Sequence, residues 1–572
     1  MKNRASSHLV ALFIIIGFEI VGYYAIHRAG LIRGYETSWV SGVRDLLLFV
    51  PITILVFWLT RVMRFVGNWT LFTTAILLFS VGMLVQYRLY SDPEYNAPRG
   101  KKEAAREEKT GVMRERFIQE TYTADKKQMM GLPATPPQAV PVDELKARQA
   151  NYTMTDALTS GSTWIPLISF MLFALSFWLC TKDRVLLWIQ RHSFLIVLVT
   201  LIPLAAAVVT SQAGKVENMT PWEPSKIPFL LGFAGILTAR YKDLARTYWG
   251  LPRAQDVVPL VVMAILPFLP FFVLKDFGQM LVFSGAYATL YLVAVRRWPQ
   301  LLLFVGTMAL VIGILVVGAL PRDVQEKVPL LPALARPVKA VLPDRIQQRF
   351  HLWLDGFTPP SPDTPWWRDK YQAALKRERE KWDKSGQREL MEKSFDAQKF
   401  NRDVWFDDLA FQPAQAIFGV ASGGTSGRGL GLGFAELIPI ADSDYIYAAI
   451  GEELGLAGGA IVILAIIVFV CAGVRTSIDS RDMFTKLSSA GLTAFIGFQA
   501  LVNIGGITRA LPMTGITLPF VSHGGFSLMT SFAMLGMLMA FSHLNARDTI
   551  VAAKTVRQTQ ARRDPSIPEA VQ

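Results

Sequence analysis

The residue with the best claim to chemistry is Asp444, in Ala441-Asp-Ser-Asp-Tyr-Ile-Tyr447, at the head of a long apolar run that also carries Gly451-Glu-Glu-Leu-Gly455. A charged side chain at membrane depth costs about 3 kcal/mol or more unless it is paired or hydrated, so these acids imply a polar cavity. On helical geometry Glu452 lies roughly 12 Å along the axis from Asp444 and about 80° around it, while Glu453 points away. They are therefore not a paired acid and base. Asp444, at the water boundary, is the candidate reactive carboxylate, and Glu452 is a cavity or packing residue. Ser443 and Asp444 also suit a helix N-cap, so a capping role for Asp444 fits the sequence equally well.

Polar residues flank these acids on both sides. Upstream come Gln412-Pro-Ala-Gln415 and the glycine-rich stretch Ser422-Gly-Gly-Thr-Ser-Gly-Arg-Gly-Leu-Gly431. Its glycines permit positive φ and turn amides toward an anion, although a flexible linker explains them as well. Downstream, Gln499 and Asn503 precede the glycine and proline segment Arg509 to Ser527. Its apolar residues predict a re-entrant path, which is tolerated only where protein or water satisfies the backbone. His523 in that segment suits either a group titrating near neutral pH or a hydrogen-bonding structural residue. Walker loops, HExxH, CxxC pairs and nucleophile elbows are absent from the sequence.

These residues need a membrane scaffold to position them. The chain has 572 residues, 52% hydrophobic and 18% charged, with mean hydropathy +0.33. That excludes a secreted disulfide scaffold, a disordered tail protein and an ordinary cytosolic enzyme. Apolar runs long enough to cross lie near 8–27, 45–63, 70–88, 162–181, 193–211, 226–241, 257–274, 279–296, 299–319, 446–474, 487–507 and 525–545. The fold expected is all-α and polytopic, with about twelve transmembrane helices and two extended extracytoplasmic segments. The only cysteines, Cys180 and Cys471, lie in or at the ends of such runs, so no disulfide holds the outer loops.

The net charge of +13 is explained by position rather than by nucleic acid, which is not an expected partner. Lys2, Arg4, Arg61, Arg64, Lys182, Arg184, Arg240, Lys242, Arg296, Arg297 and the tail Arg547 to Arg563 fall on one side. The short loops of the other side hold only Arg28, Arg33, Arg44, Lys215, Lys226, Lys275 and Arg509. Basic residues near a span resist translocation, so both termini are expected in the cytoplasm. The first span follows Lys2 and Arg4 with no A-x-A site before Arg28, which predicts an uncleaved helix. Two polar segments, 89–161 and 320–443, are expected outside. The first is charge-mixed and then proline-rich, suggesting a helical piece and an extended tether. In the second, Trp366 to Lys393 reads as an amphipathic helix with Trp366, Trp367, Tyr371, Leu375 and Trp382 along it. It suits a solvated cap or a surface for a partner or lipid headgroups.

Asp444-Tyr-Ile-Tyr-Ala-Ala-Ile-Gly-Glu-Glu-Leu-Gly455 and Leu511-Pro-Met-Thr-Gly-Ile-Thr-Leu-Pro-Phe-Val-Ser-His-Gly-Gly525 closely resemble the signatures of the SEDS family (shape, elongation, division and sporulation), which includes RodA and FtsW. Weaker echoes are Pro224-Ser225, Asp276-Phe-Gly278, Arg349 to Asp355, and Gln412 with Gln415 ahead of Ser422-Gly-Gly424. The likeness covers about 70–545. On it, 1–69 holds two additional spans, 70–319 the first part of the membrane core with its insertion at 89–161, 320–443 the large outside loop, 444–545 the motif region and 546–572 a basic tail.

The resemblance implies a peptidoglycan glycosyltransferase of the bacterial cytoplasmic membrane. Such an enzyme polymerises lipid II, a glycan carried on undecaprenyl pyrophosphate, alongside a class B penicillin-binding transpeptidase and in contact with membrane lipids. It also aligns Asp444 with the family's essential loop aspartate, as the base that takes a proton from an acceptor hydroxyl. The departing pyrophosphate needs positive charge or a divalent ion, with Arg349 one candidate and Mg²⁺ another. No metal ligand is assigned. The expected substrate-binding residues are Arg349, Gln415, Ser422, Glu452, Asn503 and Ser522.

Four positions depart from the family pattern: Lys226 replaces a glutamate, Phe229 a lysine, Asp442 a histidine, and the loop reads Ser522-His-Gly-Gly-Phe-Ser. The changes at Lys226 and Asp442 are expected to retune substrate or partner. Two other functions compete: a precursor flippase or transporter with Asp444, Glu452 and Glu453 along its path, disfavoured by the absence of an inverted repeat, and a non-catalytic scaffold for a transpeptidase.

Overall fold

The computed structural model describes residues 2–92, 95, 154–212, 222–244, 247–248, 251–253, 276–295 and 344–563, with breaks at 34–36, 356–357 and 386–387 and isolated positions between 255 and 271. Eight described helices are long and apolar enough to cross a membrane: His8–Ile32, Trp39–Val62, Trp69–Ser91, Gly161–Cys180, Gly278–Val295, Ile446–Asp479, Met483–Ile507 and Gly525–Ala553. A ninth results if Asp183–Arg191 and Ser193–Ala206, bent by 78°, count as one. The chain is an all-α polytopic integral membrane protein. Among the described residues the strands are limited to the antiparallel pair Thr247–Tyr248 and Leu251–Pro252. The expected spans at 257–274 and 299–319 lie largely or wholly outside the described residues, as does most of the insertion at 89–161. The expected span at 226–241 falls on the described helix Lys226–Leu244.

The Trp69–Ser91 helix is the central post. Asn68 caps it, its Oδ1 accepting from the Thr70 amide at 3.0 Å. Nearly every side of its Leu, Phe and small-residue sequence is buried, as expected of a helix that is apolar all round. The first helix, Lys2–Ile32, leans on it. Ile15, Glu19, Tyr23 and Ile26 face inward while Phe13, Ile14, Val21 and Tyr24 stay exposed, the pattern of a helix with one face toward lipid. Glu19 accepts from Ser80 Oγ, and His8 Nδ1 meets Thr73 Oγ1 at 3.0 Å, so polar pairs mark the same interface. Cys180 is buried and Cys471 exposed, and neither forms a disulfide.

The large loop carries a small helical cap built from Pro365–Ser385, Arg388–Ser394 and Ala397–Asp407. Trp366 to Lys393, which the sequence leaves open as a solvated cap or a surface for a partner or headgroups, packs within this cap. Trp367, Tyr371 and Leu375 are buried in the cap's own core with Trp405. Trp367 Nε1 donates to Asn401 Oδ1 at 2.8 Å, and Trp382 stacks edge-on against Phe395 at 5.3 Å. These aromatic residues have apolar partners within the chain.

Candidate functional site

Asp444 sits in the turn before the Ile446–Asp479 helix rather than at its N-cap. The cap position is Tyr445, without a side-chain capping bond, so the capping role considered for Asp444 is not realised. Its Oδ1 accepts from Ser443 Oγ at 3.0 Å. The main chain beneath it is tied down three times. Asn503 Nδ2 donates to the Asp444 carbonyl at 2.8 Å, Ser522 Oγ to the Ser443 carbonyl at 2.7 Å, and the His523 amide to the Asp442 carbonyl at 2.8 Å. Asn503 and Ser522, expected to bind substrate, thus hold the turn that bears the carboxylate.

Residues 508–524, where the sequence predicts a re-entrant path, have irregular backbone with Ile516, Leu518, Phe520 and Val521 buried. Its carbonyls are satisfied by side-chain amides, from Gln499 to Thr517, Asn503 to Ile516 and Gln86 to Val521. Within it Gly515 has φ of +69°, and a Cβ there would lie 3.4 Å from Asp444 Oδ2 and 3.8 Å from Arg349 Nη2. The glycine therefore separates a carboxylate from a guanidinium that make no direct ion pair. Arg349, on the Asp344–Asp355 helix, is anchored by Nη1 donating to the Thr514 carbonyl at 3.0 Å.

Burial lifts the Asp444 carboxyl above the usual range; Ser443 and Arg349 pull it down, and Asp442 and Glu223 push it up. Asp276, whose Oδ1 accepts from the Gln279 amide, is pushed up to about 6 by burial, with Gln279 and Arg349 opposing. A carboxyl raised toward neutrality is a better proton acceptor at working pH, and an adjacent guanidinium suits a leaving anion. Among the described residues no three of His, Cys, Asp and Glu converge as a metal site.

Glu452 belongs to a different cluster. Its Oε1 accepts from the Phe434 amide at 2.9 Å and from Ser422 Oγ at 3.4 Å, and Oε2 is buried without a partner. Gln415 is buried on the same Phe411–Gly423 helix as Ser422. The cause is a break in the Ile446 helix at Gly455, where φ is +66°. A break frees main-chain groups that must find partners, and the glycine-rich loop supplies them. The Arg428 and Gly429 amides donate to the carbonyls of Glu452 and Glu453, and the carbonyls of Gly424 and Thr425 accept from Leu456 and Ala457. A Cβ at Gly427 would stand 2.2 Å from the Glu453 carbonyl oxygen, so only glycine allows the approach. The stretch is therefore not a free linker: the amides of Gly427, Arg428, Gly429 and Gly431 are bonded within the chain.

Residues 387–547 match the family model for the cell cycle proteins FtsW, RodA and SpoVE. In this region the chain is similar to the SEDS family. It is 27% identical over 331 residues to the peptidoglycan glycosyltransferase RodA of Mycobacterium tuberculosis, covering 57% of this chain and 56% of that protein. It is 36% identical over 142 residues to stage V sporulation protein E of Bacillus subtilis, covering 24% and 39%. The chain thus matches little more than half the length of its RodA relatives. A solved peptidoglycan synthase complex that coordinates polymerization and crosslinking aligns with 67% of this chain and 97% of that one, at 18% identity and a TM-score of 0.39.

The structure gives each of the four departures from the SEDS pattern its partners within the chain. Lys226 is fully buried, with Nζ 2.6 Å from Glu223 Oε2 and 2.8 Å from Gln499 Oε1. Phe229, at the position of the family's lysine, packs between Phe233 and Phe283. The acid and base are thus each displaced one turn toward the N-terminus, to 223 and 226. The charge at Lys226 is neutralised inside the protein, not presented to a substrate. Asp442 accepts from Tyr90 and Tyr95, each at 2.7 Å. His523 Nδ1 meets Gln86 Oε1 at 3.0 Å, and burial lowers its pKa, which fits the structural role. Glu223, Tyr90 and Tyr95 escaped the sequence reading; only Glu223, one turn before Lys226, left a signal there.

Proposed function

We propose that this chain is a peptidoglycan glycosyltransferase that polymerises lipid II at the outer face of the bacterial cytoplasmic membrane. The observation that carries this reading is the placement of Asp444 and Arg349 on either side of Gly515. In the step envisaged, an acceptor sugar hydroxyl attacks the donor's anomeric carbon. Its proton passes to the Asp444 carboxylate, the bond to the pyrophosphate oxygen breaks, and Arg349 stabilises the charge on the departing undecaprenyl pyrophosphate. Both termini are cytoplasmic in this reading, which sets the Asp444 turn and the cap outside. A class B penicillin-binding transpeptidase is the proposed partner, crosslinking the strands produced.

The deciding experiment incubates the purified full-length protein with lipid II, with and without a class B transpeptidase, and resolves the products by size. Glycan strands that disappear in Asp444→Asn support the proposal. Lipid II that is recovered intact in both conditions overturns it and leaves the flippase and scaffold alternatives.

A further inference from the structure

The first N-terminal helix meets the glycine-rich loop at its C-terminal end. Arg33 lies just beyond the Lys2–Ile32 helix, its amide donating to the Ala29 carbonyl. Its Nη1 donates to the carbonyls of Gly433 at 3.2 Å and Gly431 at 3.4 Å, its Nη2 contacts Glu436 Oε1 at 2.5 Å, and its guanidinium lies over the Phe434 ring at 5.4 Å. Ala29 fits against Gly431, where any Cβ would come within 2.7 Å. Arg88 of the Trp69 helix reaches the same loop from the other side, bonding Glu436 Oε2 and Glu453 Oε1, each at 2.7 Å, and the Gly433 carbonyl at 3.1 Å. Asp92 Oδ2 bridges the two guanidiniums, at 3.0 Å from Arg88 and 3.4 Å from Arg33.

We propose that Arg33 is a positioning residue for the glycosyl transfer suggested above, making the N-terminal helix pair a brace for the loop that leads into the Asp444 turn. This rests on the glycosyltransferase reading. Glu436 precedes Asp444 by less than ten residues, and the intervening Asp442 hangs from Tyr90 and Tyr95 at the end of the same central helix. Movement of the loop therefore transmits to the turn. Asp92 and Arg88 on the central helix side, Glu436 in the loop and Glu453 on the Ile446 helix, with Glu452 beside it, form a buried acidic group around two guanidiniums. Removing Arg33 takes one positive charge from beside Asp92 and Glu436. A surplus buried charge is relieved by protonation or by opening of the loop.

The test uses full-length Arg33→Ala, Arg33→Lys and Arg33→Ala/Glu436→Gln, assayed for lipid II polymerisation across pH 6 to 9 and for hydrogen exchange of 428–437. Arg33→Ala should lose about 10- to 100-fold in rate, the scale of a small misplacement of reacting groups. The loss should deepen as pH rises, because protonating one carboxyl offsets the positive charge lost with Arg33. Neutralising one carboxylate by Glu436→Gln should likewise restore most of the rate, and Arg33→Lys should fall between. Exchange in 428–437 should rise in Arg33→Ala and return toward the parent in the double variant. Parent-like rate and exchange in Arg33→Ala overturn the brace, as does a loss that is independent of pH and not restored by Glu436→Gln. If Arg33→Ala does not accumulate, the double variant and Arg33→Lys carry the comparison. If the parent itself does not polymerise, the glycosyltransferase reading fails, and the exchange data still decide whether Arg33 holds the loop.

Discussion

Asn503 donates one amide nitrogen to two main-chain carbonyls, that of Asp444 at 2.8 Å and that of Ile516 at 2.5 Å, and so joins the carboxylate-bearing turn to the re-entrant segment. Replacing it with alanine leaves both carbonyls without this donor, which costs roughly 1–3 kcal/mol for each buried group left unsatisfied. Asn503→Ala should lower the melting temperature in detergent and reduce the polymerisation rate together. Unchanged thermal unfolding would show that water replaces the amide.

Asp444→Asn separates chemistry from structure. Removing a general base costs at least about 100-fold in rate. Stability should not fall. A carboxyl whose pKa is raised by folding holds its proton longer in the folded than in the unfolded state, so its contribution to stability declines as pH rises above the ordinary value near 4. At neutral pH the variant should therefore unfold at or above the parent's temperature. In the parent, activity should rise with pH through the elevated pKa of Asp444. Loss of rate accompanied by a marked loss of stability would return Asp444 to a structural role.

Gly515→Ala tests the opening between Asp444 and Arg349. Alanine at φ of +69° costs of order 1 kcal/mol in backbone strain. Its methyl group would also stand in van der Waals contact with Asp444 Oδ2. The rate should drop by more than the strain alone implies, with the protein still folded. A folded variant of parental activity would exclude this opening as the place of reaction.

The Glu223 and Lys226 pair should show the asymmetry of buried ions. Breaking it from one side costs about 3–5 kcal/mol, whereas replacing both ions with neutral residues is far milder. Lys226→Met alone should sharply reduce folded protein in the membrane, and Glu223→Gln/Lys226→Met should recover it. Equal yields from the single and double variants would contradict the pairing.

Topology is open to chemical labelling. Single cysteines at Ser361 and Thr559, in a background without Cys180 and Cys471, should react with an impermeant thiol reagent in intact spheroplasts only at position 361. Labelling at 559 would reverse the proposed orientation.

The sequence by itself determined the class of the protein, because apolar runs of membrane length can cross a bilayer only as helices that satisfy their own backbone. It also singled out Asp444 and Arg349, which the fold brings to the same glycine, Gly515. What only the tertiary structure decided were the partners. Glu452 was legible as a buried acid, but its bonds to Phe434 and Ser422 depend on a helix break at Gly455 that a loop from elsewhere in the chain must satisfy. The tryptophans of the cap were legible as an amphipathic stripe, yet periodicity alone does not say whether the stripe faces Trp405 or another molecule. Arg33 looked like one of a few basic residues in a short outer loop. Its contacts with Gly431, Gly433 and Glu436 join residues about 400 positions apart, and local sequence patterns carry no information about pairings that the fold creates at such separation.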